Sequence, residues 1–290
     1  MNMRKPSIVY EGENFLLVRK RKGEGPVIIQ TSGYTMTAEA VNQSWIVTNL
    51  QTVPKRDRSE LSDPFIFNQT LPCYKILDAQ VIELYFLPEC KGLKDAADEF
   101  AEVFQRRFAD ATLIGHSKGG LFVAAVLERV LRVKAKAIII APTLGTVTGD
   151  EELMLKKLKE NERFFLARLF WRFIIKTVGS RRPVDRDMSY DSEFLDKTKT
   201  DQMILRRHYL LSVYACCPFK KDVTFVDKVF MKFGKVMGLD LENSDGMVDV
   251  RNQEFFRACD FVIQVRAVHP MALKKSNDII LKYIIKHEAY

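Results

Sequence analysis

The chain has 290 residues, 47% of them hydrophobic, and carries 45 Lys and Arg against 37 Asp and Glu for a net charge of +8. That length buries one large core, or one core carrying an inserted subdomain, and does not by itself require two domains. The basic surplus is moderate and interspersed with acids, so a solvated surface is expected rather than a nucleic-acid partner, with attraction to anionic membranes as the functional alternative.

The five cysteines, Cys73, Cys90, Cys216, Cys217 and Cys259, are odd in number and lack metal-ligand spacing. They predict buried reduced thiols, with neither a disulfide framework nor a zinc site. Arg4 and Lys5 are not followed by an apolar run of about 7–15 residues that would serve as a signal peptide. No stretch approaches about 18 uninterrupted apolar residues, so no transmembrane helix is expected. Cytoplasmic location is the resulting expectation.

Along the chain, Ile8-Val9-Tyr10 and Phe15 to Val18 predict a short hairpin around Gly12. Val27-Ile28-Ile29 reads as a strand buried on both faces, ending in the turn Thr31-Ser32-Gly33-Tyr34. Residues 38–45 suggest a helix, 46–50 a strand and 52–64 a loop. Val81 to Phe86 is a further strand. Lys94 to Phe108 is an amphipathic helix, with Ala97, Phe100, Ala101, Phe104 and Phe108 on one stripe. Ala111 to Ile114 is a strand, Leu121 to Val133 a helix and Ala135 to Ile140 another strand. This alternation predicts an α/β fold, with a mostly parallel sheet covered on both faces by helices.

The pattern changes over 150–222. Glu151 to Thr177 reads as a long aromatic-rich helical stretch with Leu153, Leu158, Phe165, Leu169 and Ile175 on its apolar side. Trp171 and Phe173 point away from that stripe. Between Glu151 and Arg186, ten basic residues face five acids. A further helix is expected over Asp201 to Tyr214. These helices predict an insertion, a cap over the sheet, dividing the chain into a core of 1–149 and 223–290 and a cap of 150–222. The alternation resumes with a strand from Phe261 to Val268 and a helix from Asn277 to Lys286.

Between the strand at Ala111 and the helix at Leu121 lies Gly115-His116-Ser117-Lys118-Gly119, a G-x-S-x-G sequence. Five residues with three fixed positions are weak as a bare pattern. Strand before and helix after make it the context of a nucleophile elbow, where a sharp turn exposes a serine hydroxyl at the end of a strand. Glycines two positions before and after the serine let strand and helix approach without Cβ clashes.

A serine nucleophile needs a base, and the base an orienting acid, in the chain order Ser, Asp or Glu, His. The four histidines are His116, His208, His269 and His287. His116 sits within the elbow, where adjacent side chains diverge. His208 falls in the expected insertion and His287 near the chain end. His269 directly follows the strand at Phe261, at the end where α/β sheets place their sites. For the acid, Asp245 lies in the turn Asn243 to Asp249, with Asp249 and Asp240 as rivals that the residues alone leave open.

Leu113-Ile114-Gly115-His116-Ser117-Lys118-Gly119-Gly120 resembles the LIGHSxGG elbow of bacterial triacylglycerol lipases and their esterase relatives. Ala141 to Thr146 is similar to their TPHxGS segment, and Ser244-Asp245-Gly246-Met247-Val248 to their NDGxV turn. The resemblance spans about Val27 to His269, as spaced sequences only. It implies the α/β-hydrolase fold and a serine hydrolase acting on carboxylic esters, with Ser117 as nucleophile, Asp245 as acid and His269 as base. Backbone amides of Lys118 and Tyr34 are then implied as the oxyanion hole. The chain departs from the family at Ser32-Gly33-Tyr34, where His-Gly is usual. It departs again at Pro270 to Leu273, which lacks the aspartate of the family's calcium site. Neither a metal nor a cofactor is therefore expected.

A lipid or small-molecule ester is the expected substrate, with the cap lining an acyl pocket over Ser117. Peripheral contact with an anionic membrane is the expected role of the basic insertion, and no obligate protein partner is inferred. A thioesterase or acyltransferase would use the same three residues. A non-catalytic binding protein of the same fold is the rival from another class, favoured by the departure at Ser32.

Overall fold

The computed structural model describes residues 7–31, 71–87, 90–143, 156, 187, 192–194, 205–218, 223–253 and 259–288. The elements expected at 38–64, Tyr34, and the apolar stripe of the cap, Leu153 to Ile175, lie outside them.

The described residues build an eight-stranded sheet. Its strands are β1 (Ser7–Glu11), β2 (Phe15–Arg21), β3 (Val27–Thr31), β4 (Gln80–Phe86), β5 (Thr112–His116), β6 (Lys136–Ile140), β7 (Tyr209–Cys216) and β8 (Phe261–Arg266). They lie in the order β1-β2-β4-β3-β5-β6-β7-β8. The hairpin β1–β2 joins antiparallel to β4, and β3 to β8 run parallel to one another.

The helices are α1 (Pro72–Ile76), α2 (Leu93–Arg107), α3 (Lys118–Arg129), α4 (Phe225–Val236), α5 (Ala272–Lys275) and α6 (Asn277–Glu288). Successive strand residues point to opposite faces, and both faces are covered. Ile29, Ile82, Leu113 and Ile139 pack on one side against Phe100 and Phe104 of α2 and Phe122 of α3. Their neighbours Ile28, Val81, Ile114 and Ile138 pack on the other, with Tyr74 of α1, Leu273 of α5 and Ile280 and Ile284 of α6. Two buried faces are why these strands read as unbroken apolar runs.

Two expectations are corrected here. Asp201 to Tyr214 is not one helix, because Tyr209–Cys216 is β7, hydrogen-bonded between β6 and β8. The last part of 150–222 therefore belongs to the sheet and not to an insertion. Buried on both faces, Leu210, Leu211 and Val213 present no period-2 alternation, and such a run is indistinguishable from a buried helix by pattern. Second, α3 begins at Lys118 and ends at Arg129, several residues earlier at each end than the apolar run suggests. Gly119 and Gly120 read as turn residues yet form the first turn of the helix.

Among the described residues no helix is long and apolar enough to cross a membrane. Aromatic rings of α2, α3 and the hairpin pack together in the core. Phe100 is buried, its ring centroid 5.4 Å from Phe15 and 5.7 Å from Phe122. Truncation there leaves a cavity between rigid layers. Phe100→Ala is expected to destabilise by about 3–5 kcal/mol, read as a lower urea midpoint with an unchanged denaturant slope.

Candidate active site

The site forms where β5, β7 and β8 end. β5 passes straight into α3, and the residue at the junction, Ser117, adopts φ 58° and ψ −125°. For a residue with a Cβ this backbone is strained, a cost of order 1–3 kcal/mol that the surroundings must impose. They do so by close packing. A Cβ on Gly115 would stand 2.2 Å from the carbonyl oxygen of Gly119, and one on Gly119 would stand 2.0 Å from that of Thr31 in β3. Both contacts are to backbone, so neither can yield cheaply. The Ser117 amide is fixed in turn by donating to the Ile140 carbonyl at 3.0 Å.

His269 follows β8 in a short 3-10 turn, His269–Met271, and is buried. Its Nε2 lies 2.7 Å from Ser117 Oγ and its Nδ1 2.6 Å from Asp245 Oδ2. The carboxylate can only accept, so Nδ1 carries the proton and Nε2 receives the serine hydroxyl hydrogen. The His269 amide also donates to the Asp245 carbonyl at 2.9 Å, tying the two loops together.

Asp245 is held by its own turn. Oδ1 accepts the amides of Met247 at 3.0 Å and Val248 at 2.8 Å. Gly246 has φ +85°, the left-handed conformation a Cβ would resist, and a Cβ there would also stand 2.8 Å from the Phe230 carbonyl oxygen. The rival acids are engaged elsewhere. Asp249 accepts the Arg251 amide at 2.8 Å and caps the 3-10 turn Val250–Asn252. Asp240 binds the Glu242 amide and the Asn243 side chain at the surface.

The other histidines take structural positions. His116 Nε2–H donates to the backbone carbonyl of His269 at 3.0 Å. Burial, reinforced by the neighbouring His269, pushes its pKa down to about 3, so its ring is neutral. His208 joins the Leu127 carbonyl to the Ala135 amide, linking the end of α3 to β6. The His287 ring packs on Tyr209 and Tyr283.

Lys118, the first residue of α3, has a backbone amide outside the helical hydrogen-bond ladder. Its side chain is buried, with Nζ 5.3 Å from the centroid of the Phe86 ring. The second amide expected of an oxyanion hole, that of Tyr34, lies outside the described residues. Among the described residues no group of three or more His, Cys, Asp or Glu could hold a metal ion.

Sequence reasoning missed two members of the site. His116 steadies His269 through its main chain, a contact between residues 153 positions apart. Gln253 donates from its side-chain amide to Asp245 Oδ2 at 3.1 Å. Neither contact has a local sequence signal.

No protein-family model matches the sequence, and none of the curated proteins matches it. Solved structures do match in shape. A lipase from Bacillus licheniformis superposes with a TM-score of 0.55 over 96% of this chain and 99% of that one, at 13% identity. The thioesterase domain from the curacin biosynthetic pathway gives 0.50 over 99% and 100%, at 10% identity. A meta-cleavage product hydrolase from Pseudomonas fluorescens gives 0.50 over 98% of each chain, at 12% identity. This chain has the α/β-hydrolase fold. Ser117 stands here between β5 and α3, and Asp245 and His269 lie in the segments that follow β7 and β8.

The buried neutral His116 has a consequence for stability. Its pKa of about 3 in the fold lies below the ordinary histidine value of 6.5. Between those values the unfolded chain binds a proton that the folded chain does not, so stability is lost as pH falls through that window. The thermal midpoint should drop from pH 7 to pH 4. It should drop less steeply in His116→Gln, which keeps a donor but does not titrate. The remaining slope would include His208, whose pKa burial also lowers.

Proposed function

We propose that the protein is a serine hydrolase of the esterase and lipase kind, cleaving carboxylic esters through an acyl-enzyme on Ser117. The observation that carries this reading is the unbroken hydrogen-bond chain Ser117 Oγ, His269 Nε2, His269 Nδ1, Asp245 Oδ2, at 2.7 and 2.6 Å. It is anchored on a strained elbow, with Ser117 at φ 58° between β5 and α3. A serine in an ordinary strand-to-helix turn has no reason to be held in this way.

In the mechanism that follows, Ser117 Oγ attacks the ester carbonyl carbon as its proton passes to His269 Nε2. Asp245 keeps the imidazole in the required tautomer and balances the imidazolium that forms. Negative charge on the tetrahedral oxygen is met by the Lys118 amide, with Tyr34 as the second donor. The alcohol leaves with the proton from Nε2. Water, deprotonated by the same nitrogen, then attacks the acyl carbon, releases the carboxylic acid and restores the Ser117 hydroxyl. No cofactor enters the sequence.

The substrate is proposed as a lipid or small-molecule ester, lodged under a cap formed from part of 150–208. The basic surplus between Glu151 and Arg186 supports peripheral contact with anionic membranes. The likeness to a thioesterase domain is a likeness of fold, so thioesters belong in the same assay.

Hydrolysis of p-nitrophenyl esters of increasing acyl length, with acyl thioesters in parallel, tests the reading. The wild type is expected to turn over at least one ester in the presence of EDTA. Ser117→Ala should abolish turnover, and Asp245→Asn should lower kcat by about 10³–10⁴, as in other triads. Hydrolysis that survives Ser117→Ala, or is lost to EDTA, would overturn it.

A further inference from the structure

Asp245 is buried, and its orientation decides where the imidazole of His269 points. Its Oδ1 is occupied by two amides of its own turn, which fix one end of the carboxylate. The other oxygen, Oδ2, receives His269 Nδ1–H at 2.6 Å and a second donor, Gln253 Nε2, at 3.1 Å. Gln253 is fully buried at the exit of the 3-10 turn Val250–Asn252, eight residues after the acid.

The rest of the Gln253 amide is bound to the sheet. Its Oε1 accepts the Ala215 amide at 2.8 Å, and its Nε2 also reaches the carbonyls of Ala215 at 3.2 Å and Val248 at 3.1 Å. The topology shows why that place is open to a side chain. β6 ends at Ile140, and the amide of Ala141 donates to the Val213 carbonyl at 2.7 Å. Ala215, two residues further along β7, directs its backbone groups the same way, beyond the last residue of β6. The primary amide of Gln253 fills the ladder where β6 has stopped, using its donor and acceptor as a peptide group would.

We propose that Gln253 is a positioning residue for the triad, coupling the carboxylate of Asp245 to the backbone of β7 so that Oδ2 faces His269 Nδ1. This rests on the hydrolase reading of Ser117, Asp245 and His269. Two turn amides hold one oxygen but leave the carboxylate free to swing about that end. The contact from Gln253 holds the other oxygen, and the sheet holds Gln253. The amide also supplies a donor to a carboxylate buried away from water, where each unmet acceptor is expensive. Its three acceptors share two hydrogens, so losing the side chain frees groups on Asp245, Ala215 and Val248 together.

The test is Gln253→Met, which keeps length and volume and removes both hydrogens and the acceptor. Two readouts apply to protein shown to be folded by circular dichroism. One is the rate of Ser117 modification by a fluorophosphonate. The other is the far-downfield proton resonance of His269 Nδ1–H in its short bond to Asp245. Modification is expected to slow by about 10- to 100-fold, and the downfield proton to shift or vanish. A folded Gln253→Met that reacts at the wild-type rate with the proton unmoved would overturn the proposal, since a purely structural amide would change stability and leave both unaltered.

If Gln253→Met does not fold, the wild type supplies the decision. Phosphonylation of Ser117 alters the charge of His269 and hence its bond to Oδ2. The Gln253 side-chain amide resonances should then move, and their remaining in place would overturn the coupling. A wild type that takes no label contradicts the hydrolase reading instead. The downfield proton in Gln253→Met, or in Gln253→Glu where the first variant does not fold, still decides the role of Gln253.

Discussion

The site depends on one steric constraint, the approach of the α3 backbone to β5 and β3. Gly115 and Gly119 permit it, because any Cβ there would collide with a backbone carbonyl at close to 2 Å. Given that approach, Ser117 has no relaxed conformation available and is held at positive φ. The strain, of order 1–3 kcal/mol, is offset by the cores on both faces of the sheet. Strand β5 is buried throughout, with β3 and β6 on its two sides, so the elbow is held at the end of a strand paired on both edges.

From that fixed point the other two residues are placed by parallel topology. Strands that run the same way end on the same edge, and the loops after β7 and β8 therefore meet the end of β5. The Cys217 amide donates to the Ser244 carbonyl, the His269 amide to the Asp245 carbonyl, and the His116 ring to the His269 carbonyl. Each functional side chain is thus carried on a main chain that another element holds. Gln253 completes the frame by occupying the ladder position that β6 vacates. In the proposed mechanism burial would do the electrostatic part, since an ion pair between the His269 and Asp245 side chains, both buried, would be poorly screened.

Much of this was legible in the residues. Strands β3, β4, β5 and β6 announce themselves as short apolar runs, α2 by its stripe of Phe100 and Phe104, and the elbow by its glycines between strand and helix. His269 was marked by its place after a strand. Asp245 was separable from Asp249 and Asp240 only through resemblance, because all three lie in polar turn sequence. Strand β7 was not legible, since buried on both faces it loses the alternation that distinguishes strand from helix. Helix α4 carries a signal that apolar periodicity does not use, the capping box in which Thr224 and Asp227 bond reciprocally. Gln253 and His116 could not be anticipated at all. Their partners are remote or lie on main chain, and an amide eight residues after an acid has no pattern of its own.

The central claim is that Ser117 is a nucleophile activated by His269. Intact mass followed by peptide mapping, after exposure to an active-site-directed organophosphonate, addresses it without knowledge of the substrate. One adduct per chain, located on Ser117 and lost when His269 is replaced by Ala in a protein that still folds, is the result expected. A folded wild type that takes no adduct, or takes it at another residue, would contradict the claim.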